Sequence, residues 1–370
     1  MQLTLHLTNQ CNLRCKYCFV ELGPERMSRD VAFAAVKLGM SDKSATSGLL
    51  FYGGEPLLER QLIYDVVDYT QAIKSKTGHT FYYKMTTNGT LLDEEFLKFA
   101  EKVNLTIGFS CDGLAQDDCR LFPDGSGSFA VIEEKIPLLL KYQPYAVGMS
   151  VVDPSTVHRA AEIVGFLFDK GFRYIHVGVN YDRAAPWTRE KLAILESEYK
   201  KIAEMYIKWT KAEEKFYISS FDMKILSHLK GDKYNIDRSK MAVNQPSVAP
   251  DGKIYSASRY LGDSNFQIGD VFSGIDKEKQ KMISEKGAVP LDACAKCAIN
   301  TRCNYAYDNL NYADGKYVSD VSPVQCAHEQ TITPIADYAA ETLYKENSAM
   351  FIHKHYNDLY PIMSLVEDKS

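Results

Sequence analysis

"CNLRCKYCFV", residues 11–20, places three cysteines within eight positions, at Cys11, Cys15 and Cys18. Structural zinc sites close with four ligands, usually from two paired knuckles. A cubane [4Fe–4S] cluster likewise takes one ligand per iron. Here the spacing is three residues and then two, and the next cysteine, Cys111, lies far along the chain. Three thiolates on a four-iron cluster leave one iron open, so the missing fourth ligand marks a working position. A half zinc knuckle is the bland alternative.

Outward from this stretch the chain alternates between extended and helical runs. "LTLHLT" (3–8) alternates as a strand and ends at the cysteines, and "RDVAFAAVKLGM" (29–40) has helical spacing. "SGLLFYGGEP" (47–56) runs into a glycine turn and is followed by the helical "LIYDVVDYTQAIKS" (62–75). The alternation continues to residue 211 and gives six strand–helix units. Such alternation implies a parallel sheet, open or curled into a barrel, with ligands at the carboxyl ends of its strands. The chemistry-bearing residues follow the strands: the cysteines, then "GGEP" (53–56), "TTNG" (86–89) and "SCDG" (110–113).

The later part differs. Residues 213–240 predict a helical linker, "SVAPDGKIYSASRY" (247–260) a β-hairpin around Asp251-Gly252, and 334–356 a helical tail. The domains expected are 1–212, 213–240, 241–330 and a tail at 331–370.

Of 370 residues, 45% are hydrophobic and 25% charged, ordinary for a globular protein with a core. The net charge of −5 comes without a basic run, so no nucleic-acid partner is expected. No stretch approaches the roughly 20 apolar residues of a membrane span, and no secretory signal opens the chain. A cytoplasmic location is expected, where cysteine clusters bind metal more often than they form disulfides.

The motif "CNLRCKYCF" resembles the C-x3-C-x2-C-aromatic signature of the radical SAM superfamily. That resemblance implies an α/β fold: a partial (β/α)6 barrel, then a small SPASM-like iron–sulfur domain and a C-terminal helix. It implies that S-adenosylmethionine (SAM) occupies the open iron and, on reduction, yields a 5′-deoxyadenosyl radical that abstracts hydrogen from substrate. By the same resemblance Gly53, Gly54 and Glu55 form the turn that meets the SAM amino group, Ser110 matches the ribose contact and Arg120 the carboxylate contact. Tyr17 matches the adenine-reading position, and Tyr181 is a looser adenine match. A plain tight turn, a capping serine and a surface arginine are the structural alternatives. Cys111 and Cys119 are expected as ordinary thiols.

"CAKCAINTRC" (294–303) gives C-x2-C-x5-C, with Cys326 downstream. Four thiolates close a site for zinc or for a [4Fe–4S] cluster, and spacing alone does not choose between them. The arrangement resembles the SPASM extension, which carries one or two auxiliary clusters. Where that extension has further cysteines, this chain has Ala257-Ser258 in the hairpin, Asn244 upstream and Tyr307 after Cys303. The expectation is one auxiliary cluster on Cys294, Cys297, Cys303 and Cys326, making two [4Fe–4S] clusters plus SAM in all.

Among relatives, the resemblance points to maturases of ribosomally made peptides, which form thioether or other cross-links. Sulfatase-type oxidation of cysteine or serine is the runner-up, disfavoured because the aspartate used there as a base is Ser258 here. A non-catalytic zinc or iron–sulfur protein is the third reading. The expected partners are a peptide or protein substrate and a reductant such as flavodoxin or ferredoxin. Because the sequence opens at strand one, the expectation is that it lacks the leader-binding module of many such maturases unless a separate protein supplies it. Asp112, Asp182 and Asp222 are candidate bases by position only, so no catalytic residue is assigned. His353 and His355 face different sides of a helix and make no metal pair.

Overall fold

The computed structural model describes residues 1–41, 44–231, 242–243, 245–289, 291–303, 310–319, 321–357 and 359–360. Asn244 and Tyr307 lie outside the described residues, as do most of the predicted linker's end and the last ten residues. The chain divides into two compact units: 1–108 with 237–295 and 305–320, and 109–236 with 296–304 and 321–370.

The first unit is built on β1 (Gln2–His6), β2 (Thr46–Tyr52) and β3 (Thr80–Thr87), with helices α1 (Arg29–Gly39), α2 (Arg60–Thr77) and α3 (Glu94–Lys102) between and after them. β1 runs parallel to β2 with His6 opposite Tyr52, and β2 runs parallel to β3. The period of two sorts each strand into two faces. Leu3, Leu5, Phe51, Tyr83 and Met85 are buried, and Leu3 approaches Gly39 of α1, which identifies the helix-covered face. Thr4 and His6, with Leu50, Tyr52, Lys84 and Thr86, belong to the opposite face. Helices α1 and α3 start where a side chain satisfies a free N–H: Ser28 accepts from Val31 and Asp93 from Phe96.

The predicted hairpin is present in the same unit. β7 (Ser247–Val248) pairs parallel with β1, placing Ser247 opposite Thr4, and β8 (Lys253–Tyr255) returns antiparallel. β9 (Gln267–Asp270) and β10 (Gly274–Ile275) continue that antiparallel run. Helix α8 (Lys277–Ala288) and a hairpin of β11 (Leu310–Ala313) and β12 (Lys316–Ser319) complete the unit.

β4 (Leu105–Ser110) carries the chain into the second unit. There β5 (Val147–Val152) and β6 (Tyr174–Val179) pair parallel, with α4 (Phe129–Tyr142), α5 (Ala160–Asp169) and α6 (Arg189–Lys211) following β4, β5 and β6. All six expected strand–helix alternations therefore exist, on a parallel arrangement. Helix α7 (Ser219–Lys230) occupies the start of the predicted linker.

The tail departs from the single helix expected over 334–356. Helix α9 (Pro323–Lys345) starts eleven residues earlier and runs through Pro334, and α10 (Ala349–Tyr356) is separate. A proline inside a helix forfeits a hydrogen bond and costs about 3 kcal/mol. Burial of Ile332, Ala336, Ala339, Ala340 and Leu343 on that helix outweighs it. Asn347 at φ 53° and Ser348, which caps α10 by accepting from Phe351, make the break. Among the described residues no helix is long and apolar enough to cross a membrane.

Candidate functional site

The cysteine loop leaves β1 along the double-glycine turn that ends β2. Gly54 N–H donates to the Thr8 carbonyl at 2.8 Å, and Glu55 N–H to the Gln10 carbonyl at 2.9 Å. Only glycine permits this approach. A Cβ on Gly54 would lie 2.1 Å from the Gln10 oxygen, and Gly53 holds φ at 133° with its Cβ position 2.4 Å from the Thr8 oxygen. Gly54→Ala is therefore expected to push the strand leading to Cys11 away. The expected result is a loss on the order of 3 kcal/mol in chemical denaturation, with less iron bound at the loop.

Glu55 anchors the turn from the other side. Its carboxylate is fully buried, and accepts from Leu57 N–H at 3.0 Å, Thr87 Oγ1 at 2.7 Å and Asn88 N–H at 2.8 Å. Burial pushes its pKa up to about 7 against the pull of these donors. Asn88 in turn donates to Asn12 Oδ1 at 2.9 Å and approaches the Cys11 sulfur at 3.8 Å, while Asn12 donates to Thr90. Thus the turns after β2 and β3 brace the base of the cysteine loop. In this structure Glu55 serves that brace with both oxygens.

Cys11 and Cys15 are half-buried and Cys18 is exposed, and none of the three is in a disulfide. Burial pushes the Cys11 thiol up to about 11, the Leu13 N–H opposing it and Glu55, Cys15 and Cys18 adding to it. A cation would be required to hold it as thiolate. Among the described residues, no three His, Cys, Asp or Glu side chains stand together in ligating geometry. As a donor set, three soft sulfurs on one short loop fit an iron–sulfur cluster. Tyr17 is half-buried on the same loop.

The remaining expected SAM contacts belong to the second unit. Ser110 is buried at the end of β4. Arg120 donates Nε to Asp112 Oδ2 at 2.9 Å, and Asp112 also accepts from Ser150 Oγ and the Val151 N–H. Both are buried, so Asp112 is a partner of Arg120 here. Tyr181 bonds His328 Nδ1 at 2.7 Å, and burial raises its phenol well above the usual range. Of the other candidate bases, Asp182 is exposed and caps Ala184, and buried Asp222 accepts from Tyr206 and the Ile218 N–H and pairs with Lys354. Cys111 and Cys119 are buried thiols outside any disulfide.

The second group of cysteines is spread over both units: Cys294 in the first, and Cys297, Cys303 and Cys326 in the second. Cys303 is buried and the other three are half-buried. Buried Lys224 donates to the Arg302 carbonyl at 2.7 Å and pairs with Glu329. The Arg302 guanidinium grips Asp337 with two bonds and also Ser227. The residue before Cys303 is thus tied to α7 and to α9, which also carries Cys326.

His6 and Ser258 form a pair that no sequence motif marks. Fully buried His6 bonds Ser258 Oγ through Nε2 at 3.0 Å, and Ser258 bonds Ser247 Oγ at 2.8 Å. Its Nδ1 is buried with no partner among the described residues, and burial alone lowers its pKa to about 3. The alternation in "LTLHLT" already put Thr4 and His6 on one face; the contact across 252 residues had no local signal. Because the folded pKa lies below the unfolded 6.5, His6 binds its proton more readily in the unfolded chain. Its contribution is intact above pH 6.5 and is lost as pH falls towards 3, by up to about 1.4 kcal/mol per unit. Urea unfolding from pH 7.5 to 5 should show wild-type stability falling more steeply than that of His6→Gln.

Comparison with known proteins adds the lineage. The model of the family described as "Radical SAM superfamily" matches residues 5–167. The cysteine-type anaerobic sulfatase-maturating enzyme of Clostridium novyi (strain NT) is 28% identical over 179 residues, 45% of this chain and 48% of that protein. The antilisterial bacteriocin subtilosin biosynthesis protein AlbA of Bacillus subtilis (strain 168) is 28% identical over 186 residues, covering 47% and 39%. The chain thus spans about half the length, or less, of these curated relatives. The solved structure "Native anSMEcpe with bound AdoMet and Cp18Cys peptide" superposes with a TM-score of 0.78 over 93% of this chain and 99% of that one, at 19% identity, and so shares the fold. Residues 5–167, with the Cys11–Cys18 loop and the two turns that brace it, carry a radical SAM domain.

Proposed function

We propose that this chain is a radical SAM enzyme that modifies a side chain or backbone carbon of a ribosomally made peptide. On this reading it carries two [4Fe–4S] clusters, one on Cys11, Cys15 and Cys18 that binds SAM and one auxiliary on Cys294, Cys297, Cys303 and Cys326. The observation that carries the reading is the three-thiol loop braced by the glycine turn and Asn88 inside a radical SAM domain. Bound SAM and its cluster would supply a carbon radical able to take hydrogen from an unactivated C–H bond.

The chain's own residues would bind and orient. Tyr17, Gly53, Gly54, Ser110, Arg120 and Tyr181 are the candidates for holding SAM. Glu55, a further candidate for meeting the SAM amino group, would also fix the turn. A peptide substrate is supported by AlbA, described as a subtilosin biosynthesis protein, and by the peptide bound in the structural neighbour. A flavodoxin- or ferredoxin-like donor would supply the electron. Oxidation of a target cysteine, as in the sulfatase-maturating relative, is the second reading, favoured by that similarity.

The test is SAM turnover by the anaerobically reconstituted chain with dithionite and a cysteine-containing peptide. The expected products are methionine and 5′-deoxyadenosine in equal amounts, and absence of both would sink the proposal. Mass spectrometry separates the two readings: a cross-link retains the peptide sulfur and loses two hydrogens, whereas the sulfatase-type oxidation expels the sulfur.

A further inference from the structure

Beside the cysteine loop, the side chains of Asn12, Asn88 and Thr90 close a ring of hydrogen bonds within the first unit. Asn12 Nδ2 donates to Thr90 Oγ1 at 2.8 Å, Thr90 Oγ1 to Asn88 Oδ1 at 2.7 Å, and Asn88 Nδ2 to Asn12 Oδ1 at 2.9 Å. Asn88 Oδ1 accepts a second bond, from the Thr90 N–H at 3.0 Å. An amide offers two lone pairs and two N–H groups, so these contacts use three of the four positions. The Thr90 N–H also fixes which end of the amide is oxygen. The fourth position, the second N–H of Nδ2, is left for the Cys11 sulfur, which stands 3.8 Å from that nitrogen. Asn88 and Thr90 are both buried, and the Asn88 backbone N–H is held by buried Glu55 at 2.8 Å. The amide therefore has little freedom to turn away. The same sulfur accepts from the Leu13 N–H at 3.4 Å. Leu13 is two residues from Cys11 and meets it through the local turn, whereas Asn88 arrives from 77 positions away, off the end of β3.

A purely structural amide is accounted for by the ring and the Thr90 N–H; the contact with sulfur adds nothing to that brace. Resting on the function proposed above, we propose that Asn88 is a positioning residue that raises the reduction potential of the iron–sulfur cluster on Cys11, Cys15 and Cys18 by donating its free N–H to the Cys11 sulfur. Hydrogen bonds to ligand sulfurs are one of the protein's means of setting such potentials, and the groups around the ligands orient them. An added electron places more negative charge on the sulfur ligands, and an N–H dipole fixed at one of them stabilises that charge. Asn12, Asn88 and Thr90 are all uncharged, so the ring brings a dipole to the sulfur without bringing a charge. In the step itself one electron passes from the flavodoxin- or ferredoxin-like donor to the cluster. The proton stays on Asn88 Nδ2, and no bond of the chain forms or breaks. Because SAM cleavage begins with that electron, the amide would set how readily the reaction starts.

The experiment titrates the anaerobically reconstituted full chain with dithionite and follows the reduced cluster by electron paramagnetic resonance; the signal that changes on adding SAM is the one read. Asn88→Ala is expected to disfavour its one-electron reduction about tenfold, a midpoint lower by about 59 mV. Asn88→Asp, which keeps an acceptor for Thr90 but puts an oxygen where the N–H stood, should lower it at least as far. Thr90→Val opens the ring yet leaves the Asn88 amide held by the backbone N–H at position 90 and by Asn12. It should lower stability in urea and move the midpoint by less than half as much. An unchanged midpoint in iron-loaded Asn88→Ala, or an equal shift in Thr90→Val, overturns the assignment. If neither Asn88 variant binds iron, wild-type protein with isotopically labelled asparagine side-chain nitrogen decides: hyperfine coupling of that nitrogen to the reduced cluster supports the assignment, and its absence overturns it. Wild-type protein with no signal that responds to SAM would instead refute the proposed function. Asn88→Ala protein that keeps its midpoint and still releases 5′-deoxyadenosine overturns only the role of Asn88.

Discussion

The Cys11/Cys15/Cys18→Ala variant, reconstituted anaerobically, is expected to hold about four irons where the wild type holds about eight, and to have lost SAM cleavage altogether. The magnitude follows from the loop. These are the three thiols of one short segment, and no other cysteine lies between Cys18 and Cys111 to take their place. The fold should survive, because the brace beneath the loop runs through backbone groups and through Glu55, Thr87 and Asn88, none of which is changed. Iron and sulfide analysis, with electron paramagnetic resonance of the remaining cluster, reads the outcome. Four irons and one zinc in the wild type would keep the SAM site and make Cys294–Cys326 a structural zinc site. Eight irons retained in the variant would refute the ligand assignment.

Lys224→Met is expected to be the most damaging single change in the second unit. It removes the ammonium that pairs with Glu329, at a site where both side chains are 2% exposed. Breaking one side of such a pair costs roughly 3–5 kcal/mol, because a carboxylate stays buried without its opposite charge. The same change releases the Arg302 carbonyl, so the segment carrying Cys303 loses one of its ties. Denaturant unfolding should show the loss of stability, and auxiliary iron should fall while the SAM-binding iron persists. In Lys224→Met/Glu329→Leu most of the stability should return, since the uncompensated carboxylate is gone, but the auxiliary iron should not. Full iron in both variants would show that Lys224 acts on folding alone.

What the amino-acid order determined is what is encoded locally. The six strand–helix alternations follow from periods of 2 and 3.6, and each was legible because a strand or helix face shows within ten residues or so. The cysteine loop and the GGEP turn were legible for the same reason: the donor spacing and the glycines lie side by side in the chain.

Tertiary structure decided the rest, where partners are distant. The tail helix expected over 334–356 begins at Pro323 instead, with Pro334 inside α9, since burial of that helix's apolar face outweighs one lost hydrogen bond. Glu55 stood out in the sequence through the GGEP turn, but its hydrogen bonds from Thr87 and Asn88 come from more than thirty residues away. Arg120 and Asp112, eight positions apart, form a buried pair. His6 and Ser258 were separately visible in the sequence, but 252 positions apart nothing in either residue's surroundings announces the other. Spacing along the chain specifies ligands that share a loop. Which polar groups end up buried, and against what, is settled only when the sheet brings distant strands together and burial makes each such group find a partner or remain without one.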